Sequence, residues 1–417
     1  MSFIIRRPAG PLQGQLRLDG SKSLSNRALI IQAISREPIH LTALSTSKDT
    51  VTLGRLLQEL EASSTEPFDA GAAGTTFRFM TALLATQPGE QILTGTERMK
   101  QRPIKILVDA LRHLGAQIEY LEEEGYPPLR IGAASNLADT PTLTIQGDTS
   151  SQYISALLLI APSLPKGLTM TLSGKVVSRP YIEMTIRLME HFGAQVTWEG
   201  DTITVAAAPY TGGSLRIEAD WSAASYYYSM VAGTPGSSLT LDGLNAESLQ
   251  GDSVLVDMMR SFGVESTFTE DGVRIENLRP ADEIDFIWDF IRCPDLAQTL
   301  AVTCAMTGRR GLFTGLETLR IKETDRISAL HNELAKVQVR MEEASAPIDE
   351  RNWFSVDGAA NLDTQPTFET YEDHRMAMAF APLAIMGSIK IEEPMVVRKS
   401  YPHFYEDLEK LGFQVKR

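Results

Sequence analysis

The sequence predicts an α/β protein of two domains, each built from three repeated units, with apolar helices buried inside and strands forming sheets over the outside. Three observations carry that expectation: the length, a recurring helix–strand–turn–strand pattern, and a second set of helices with almost no polar surface. At 417 residues the chain exceeds one ordinary core, because single cores stop growing at about 250–300 residues. In the recurring pattern a helix-period segment ends in Leu-Gly or Phe-Gly, and an alternating strand, an acidic turn with glycine and a second strand follow. It occurs at residues 106–132, 182–205 and 253–276, with a looser copy after Asp325. The C-terminal copy, residues 404–416, stops after its first strand. The glycine after each helix suits a left-handed C-cap, and the Glu-Gly, Gly-Asp and Asp-Gly pairs suit hairpin turns.

The second set of helices begins near Ser25, Thr75, Ser151, Ala223, Leu296 and His374. Segments such as ISALLLIAP, LAQTLAVTCAM and RMAMAFAPLAIMG are apolar nearly all round, which marks a helix buried inside its domain. The amphipathic helices of the recurring pattern pack beside them. Six units divide as three per domain, and an even split falls near residue 220. No Pro/Gly/Ser linker or low-complexity stretch marks the join.

Charge and composition narrow the function. A formal charge of −14 repels nucleic acid and anionic membranes at long range, yet permits local positive charge in a cleft. Cys293 and Cys304 form no CxxC and no metal-ligand spacing; as two small buried side chains they suit a reducing compartment. No HExxH or Cys/His ligand set appears, so neither metal nor cofactor is implied. The first residues carry no long apolar run after their arginines, and the longest apolar stretch, residues 376–387, is too short to cross a bilayer. A soluble cytoplasmic protein, acting as a monomer, is expected.

Helix starts expose unpaired N–H groups and the positive end of a dipole, so they are ready anion sites. Before the buried helices stand SKSLSNR, DAGAAGTTFR, GDTSSQ, RCPD and EDHR. A serine before a helix is most often only an N-cap. Five Ser/Gly-rich or charged starts in one acidic chain say more. Lys322 and Arg326 in KETDR are four apart, hence on one face if that stretch is helical, with Glu323 between them. Arg102, Arg179 and the pair Arg398-Lys399 each precede one of the amphipathic helices. Arginine suits forked contacts with phosphate or carboxylate, and lysine a mobile point charge.

Together SKSLSNRA, SSQY, SRPYIEMT, IKETDRI and YEDHRMAM, in that order, resemble the EPSP synthase family of enolpyruvyl transferases over essentially the whole chain. The resemblance implies two inside-out α/β domains, each of three βαβαββ units, that close on substrate. It also implies that residues 20–218 form one domain, and residues 1–19 with 219–417 the other. The implied substrates are phosphoenolpyruvate and shikimate 3-phosphate. The 5-hydroxyl adds to C2 of the enol while C3 is protonated; phosphate then leaves as C3 loses a proton. Such a reaction needs a base, an acid and cations.

By the same resemblance Lys22, Ser23, Arg27, Ser150, Ser151, Gln152, Ser178 and Tyr181 surround shikimate 3-phosphate, with Asp295 as proton acceptor for the 5-hydroxyl. Lys22, Gly74, Thr75, Arg102, Gln152, Arg326, His374, Arg375 and Lys399 surround phosphoenolpyruvate, and Lys322 lies between the two. Glu323 and Lys22 both stand as donors of the proton to C3. Ala72 and Thr318 replace asparagines common in the family. Two alternatives are a transferase acting on UDP-N-acetylglucosamine, which typically has Lys-Asn in the first motif and a loop cysteine, and a homologue that only binds metabolites. Lys22-Ser23 and the position of both cysteines oppose the first; the intact acid and base positions oppose the second.

Overall fold

The computed structural model describes residues 1–7, 10–132, 141–176, 179–279, 284–344 and 348–417. They form two compact units, Gly20–Ile217 and Met1–Asp19 with Glu218–Arg417. Strands of the described residues make six sheets, three in each unit.

In the Gly20–Ile217 unit the helices are α1 (Lys22–Ile34), α2 (Lys48–Glu61), α3 (Gly74–Leu84), α4 (Glu97–Lys100), α5 (Lys105–His113), α6 (Ser151–Ile160) and α7 (Arg179–His191). The predicted interior helices are α1, α3 and α6. From Leu24 to Ile31 every residue of α1 is buried, and in α6 only Gln152 is not. α5 and α7 bury one face: Leu107, Val108, Ala110 and Leu111 in the first, Ile182, Met184, Ile186, Leu188 and Met189 among others in the second. That division follows from side-chain chemistry alone, since only a helix without a polar face can be enclosed on all sides.

The second unit contains α8 (Trp221–Ala232), α9 (Leu255–Arg260), α10 (Ala297–Thr307), α11 (Arg326–Ala335), α12 (His374–Phe380) and α13 (Phe404–Lys410). All twelve residues of α8 are buried. α8, α10 and α12 form its centre, in one continuous apolar cluster that runs from Phe3 to Phe413 and includes no residue between Leu18 and Ala219.

Five of the six sheets share one plan. Two parallel strands flank a buried helix, and an antiparallel hairpin extends the second strand. In one, Phe68–Asp69 pairs in parallel with Glu90–Thr94, which pairs antiparallel with Leu129–Gly132 and that with Gln117–Tyr120. The C-terminal copy is completed from the other end of the chain: Gln414–Lys416 pairs with Ser2–Arg6, which in turn pairs with Ile389–Glu392. The hairpin whose second strand the sequence lacks is thus split between the termini. Strands also exchange at the chain crossings. Gln13–Arg17 precedes α1 but pairs with Ser238–Asp242, whereas Ile39–Thr42 after α1 pairs with Gly213–Arg216.

The C-cap glycines adopt the expected conformation: Gly115, Gly193, Gly263 and Gly412 have φ of 104°, 84°, 83° and 88°. In the looser copy Gln338 takes that place with φ of 66°. Its neighbour Val339 donates its N–H to the Leu334 carbonyl at 3.1 Å, as Ala194 does to Met189 at 3.0 Å. The cap geometry persists there without the residue that suits it.

Candidate active site

The first cluster lies in the Gly20–Ile217 unit, at the starts of α1, α3 and α6. Ser21 caps α1 by accepting from Leu24 N, so the chain turns into the helix at Lys22. The approach is tight: a Cβ on Gly20 would sit 2.1 Å from the Ala43 carbonyl oxygen. Lys22 Nζ donates to Asp49 Oδ2 at 3.3 Å, so its charge is held by a carboxylate of α2. Arg27, one turn into α1, is 3% exposed. Its guanidinium donates to Thr185 Oγ1, Ser155 Oγ and the carbonyls of Ser23 and Tyr181, tying α1 to α6 and α7. Among the described residues every one of these partners is neutral. Burial lowers the Arg27 pKa to about 10, which still leaves it a cation at neutral pH.

The start of α3 has no side-chain cap. There Gly74 is packed against two guanidinium groups: an added Cβ would lie 2.4 Å from Arg102 Nη1 and 2.8 Å from Arg78 Nη1. Arg78 donates to Gln152 Oε1 at 2.6 Å and stacks over Tyr153, 5.1 Å from its centroid. Gln152 follows the α6 N-cap, Ser150, whose hydroxyl accepts from Gln152 N. Gly74, Arg102, Gln152 and the α6 start therefore share one neighbourhood, with Thr75 next in α3. Tyr181 stands in the first turn of α7. Ser178 lies outside the described residues.

The second cluster lies in the other unit and centres on Arg326, the first residue of α11, 1% exposed. Its Nη1 donates to Asp295 Oδ1 at 2.9 Å, Nη2 to Glu323 Oε2 at 2.9 Å and Nε to Asp373 Oδ2 at 2.7 Å. Burial opposes its charge, but Asp373, Glu323 and Asp295 outweigh that and raise its pKa further. Asp295 also accepts from Arg375 Nη2 at 2.9 Å, and Lys322 Nζ is 3.9 Å away. Three carboxylates thus face three cations. Asp295 stands in a short helical turn, Pro294–Leu296, and caps no helix. Asp325 and Asp373 are the caps here, on α11 and α12, while the two Asp295 oxygens accept from Arg326 and Arg375.

One expectation is corrected. Lys322 and Arg326 do not share a helical face, because Asp325 caps α11 and the helix starts only at Arg326. The chain from Lys322 to Thr324 is irregular, which lets Glu323 bond back to Arg326. His374 opens α12 and is buried; Lys399 Nζ donates to the Glu372 carbonyl at 2.8 Å.

Four residues escaped the sequence reading. Arg78 ends the segment DAGAAGTTFR, one turn beyond Gly74, so its i,i+4 spacing was the available signal. Asp373 was visible in EDHR. Asp49 and Asp252 had no such signal. Asp252 is buried, accepts from the Ser222 hydroxyl, and is pushed up to about 7, mainly by burial and then by the Asp295 charge. No group of His, Cys, Asp and Glu able to hold a metal occurs among the described residues, and none of their helices is long and apolar enough to cross a membrane.

Buried-helix starts lined with arginine and lysine, together with carboxylates gathered on a buried arginine, define an anion-handling α/β protein with groups suited to proton transfer. The family model described as EPSP synthase (3-phosphoshikimate 1-carboxyvinyltransferase) matches residues 6–408. A protein of Bacteroides fragilis strain YCH46 named 3-phosphoshikimate 1-carboxyvinyltransferase is 46% identical over 420 residues, covering 100% of this chain and 99% of its own. One of that name from Cellvibrio japonicus is 36% identical, covering 97% and 98%. A solved EPSP synthase structure from Acinetobacter baumannii superposes with a TM-score of 0.82 over the full length of both chains at 20% identity. The chain belongs to the EPSP synthase family.

Proposed function

We propose that this chain transfers the enolpyruvyl group of phosphoenolpyruvate to the 5-hydroxyl of shikimate 3-phosphate, giving 5-enolpyruvylshikimate 3-phosphate and phosphate. The observation that carries the reading is the Arg326 hub, which holds Asp295 and Glu323 on one guanidinium. An addition–elimination needs two proton-transfer groups beside a site for anions, and this cluster supplies the carboxylates and the cations together.

Asp295 accepts the 5-hydroxyl proton as the oxygen attacks C2. Glu323 or Lys22 supplies the proton that makes C3 a methyl group. The C2–O bond to phosphate then breaks, and C3 returns a proton. Arg326 and Arg375 neutralise the charge of phosphoenolpyruvate. His374 and Lys399 are assigned to phosphoenolpyruvate as well, together with Lys22, Gly74, Thr75, Arg102 and Gln152, and Lys322 is assigned a place between the two substrates.

Shikimate 3-phosphate is assigned to Lys22, Ser23, Arg27, Ser150, Ser151, Gln152, Ser178 and Tyr181. Arg27 supports this, since a buried cation whose described partners are all neutral is best compensated by an anion. The test is phosphate release on mixing the two substrates. Release with shikimate 3-phosphate and none with UDP-N-acetylglucosamine is expected; the reverse pattern overturns the proposal.

A further inference from the structure

Lys399 Nζ meets the Glu372 carbonyl at the junction of two loops. The first loop reaches that point through two successive non-glycine residues with left-handed backbones, Tyr371 (φ 52°) and Glu372 (φ 55°). Side-chain-bearing residues are strained in that region and persist only where their surroundings hold them. What holds them stands on α11. Glu333 is fully buried, and its Oε1 accepts from the Tyr371 hydroxyl at 2.7 Å. Its Oε2 accepts from Glu369 N at 2.9 Å and from Lys336 Nζ at 2.7 Å. The loop is therefore pinned on both sides of Thr370 just before it delivers Asp373, His374 and Arg375.

The second loop is held by the same device. Lys399 ends the turn Pro394–Lys399, and two residues on, the buried Tyr401 donates its hydroxyl to Asp407 Oδ2 at 2.6 Å. Asp407, on α13, also accepts from Lys410 Nζ at 2.7 Å. Each clamp is thus a buried carboxylate on an amphipathic helix, a lysine three residues later, and a tyrosine from the neighbouring loop. Stability alone gives little reason for it, because well-packed apolar residues of similar volume commonly replace buried ionic groups without loss. A fixed loop direction does give a reason.

We propose that Glu333 and Asp407 are positioning residues: through Tyr371 and Tyr401 they aim the Asp373–Arg375 segment and Lys399 at phosphoenolpyruvate. What the loops bind rests on the enolpyruvyl-transfer reading; how they are held rests on the geometry alone.

Tyr371→Phe and Tyr401→Phe each remove one hydroxyl and keep the ring; the Tyr401 hydroxyl also meets that of the buried Tyr227 at 2.8 Å, so Tyr371→Phe is the cleaner test and Glu333→Gln the stronger perturbation. Each tyrosine variant should raise KM for phosphoenolpyruvate on the order of tenfold, as small misplacement of binding groups does, with KM for shikimate 3-phosphate within about twofold of wild type. Independently of turnover, acetylation of Lys399 by acetic anhydride, read by peptide mass spectrometry, should rise several-fold in Tyr371→Phe. Should both tyrosine variants keep KM and Lys399 labelling and show only a lower melting temperature, the clamps are merely structural and the proposal falls. If the wild type releases no phosphate while labelling still responds, the positioning stands and the functional reading fails.

Discussion

Arg326 is 1% exposed and shares its nitrogens among Asp295, Glu323 and Asp373, so a neutral replacement leaves charge in the interior. Asp373 is the most exacting partner, being fully buried. Arg326→Leu should therefore cost roughly 3–5 kcal/mol of stability, as removal of one side of a buried pair does, together with nearly all activity; urea denaturation read alongside phosphate release checks both. Asp252 behaves in the opposite sense. Its carboxyl is raised from 3.8 in the unfolded chain to about 7 when folded, so between those values the folded state binds the extra proton. Stability then falls as pH rises through that window and stays reduced above it. Asp252→Asn, which keeps the neutral shape, should melt higher than wild type at pH 8 and lose that advantage by pH 4. Most residues of both clusters were readable as motifs, since basic and acidic groups at helix starts announce themselves. Asp252 was not: a carboxylate whose importance comes from burial and a distant neighbour has no local pattern.

Elements were the most legible level, because helix burial and hairpin turns follow from periodicities that residues carry with them. The glycines of four copies point to their caps, and the fourth copy in chain order breaks the rule with Gln338. That side chain is exposed and its φ is 66°, so it contributes little contact while its Cβ works against the left-handed turn. Gln338→Gly should relieve that strain, offset in part by a freer unfolded chain, for a net gain of about 0.5–1 kcal/mol. A higher urea midpoint at unchanged slope and unchanged kcat is the expected result. The KETDR stretch was less legible for a related reason. Its i,i+4 spacing suits a helix, but an aspartate cap at position 325 starts the helix one residue later and frees Glu323 to fold back.

At the scale of the whole molecule the pairing of the termini decides which pieces can fold alone. Ser2–Arg6 is an interior strand between Ile389–Glu392 and Gln414–Lys416, and Gln13–Arg17 forms the edge beside Ser238–Asp242. The family resemblance joins residues 1–19 to 219–417, but neither strand pairing is visible in the residues themselves, which show a C-terminal unit that stops after its first strand. Residues 218–417 without the first nineteen leave the Gln414–Lys416 strand without its neighbour and remove Phe3, Ile5, Leu12, Leu16 and Leu18 from the core. Each buried leucine or isoleucine contributes about 1.5–3 kcal/mol, so the loss is comparable to the whole stability of a domain. The register Ile4↔Lys416 and Arg6↔Gln414 brings the two chain ends side by side, so a short Gly/Ser linker can join Arg417 to Met1. A single chain running 218–417, linker, 1–19 restores every strand of that unit and should unfold cooperatively in urea with native near-ultraviolet dichroism. The same segment without residues 1–19 should show neither. Equal cooperativity in the two would mean that the N-terminal strands decorate this core and do not complete it.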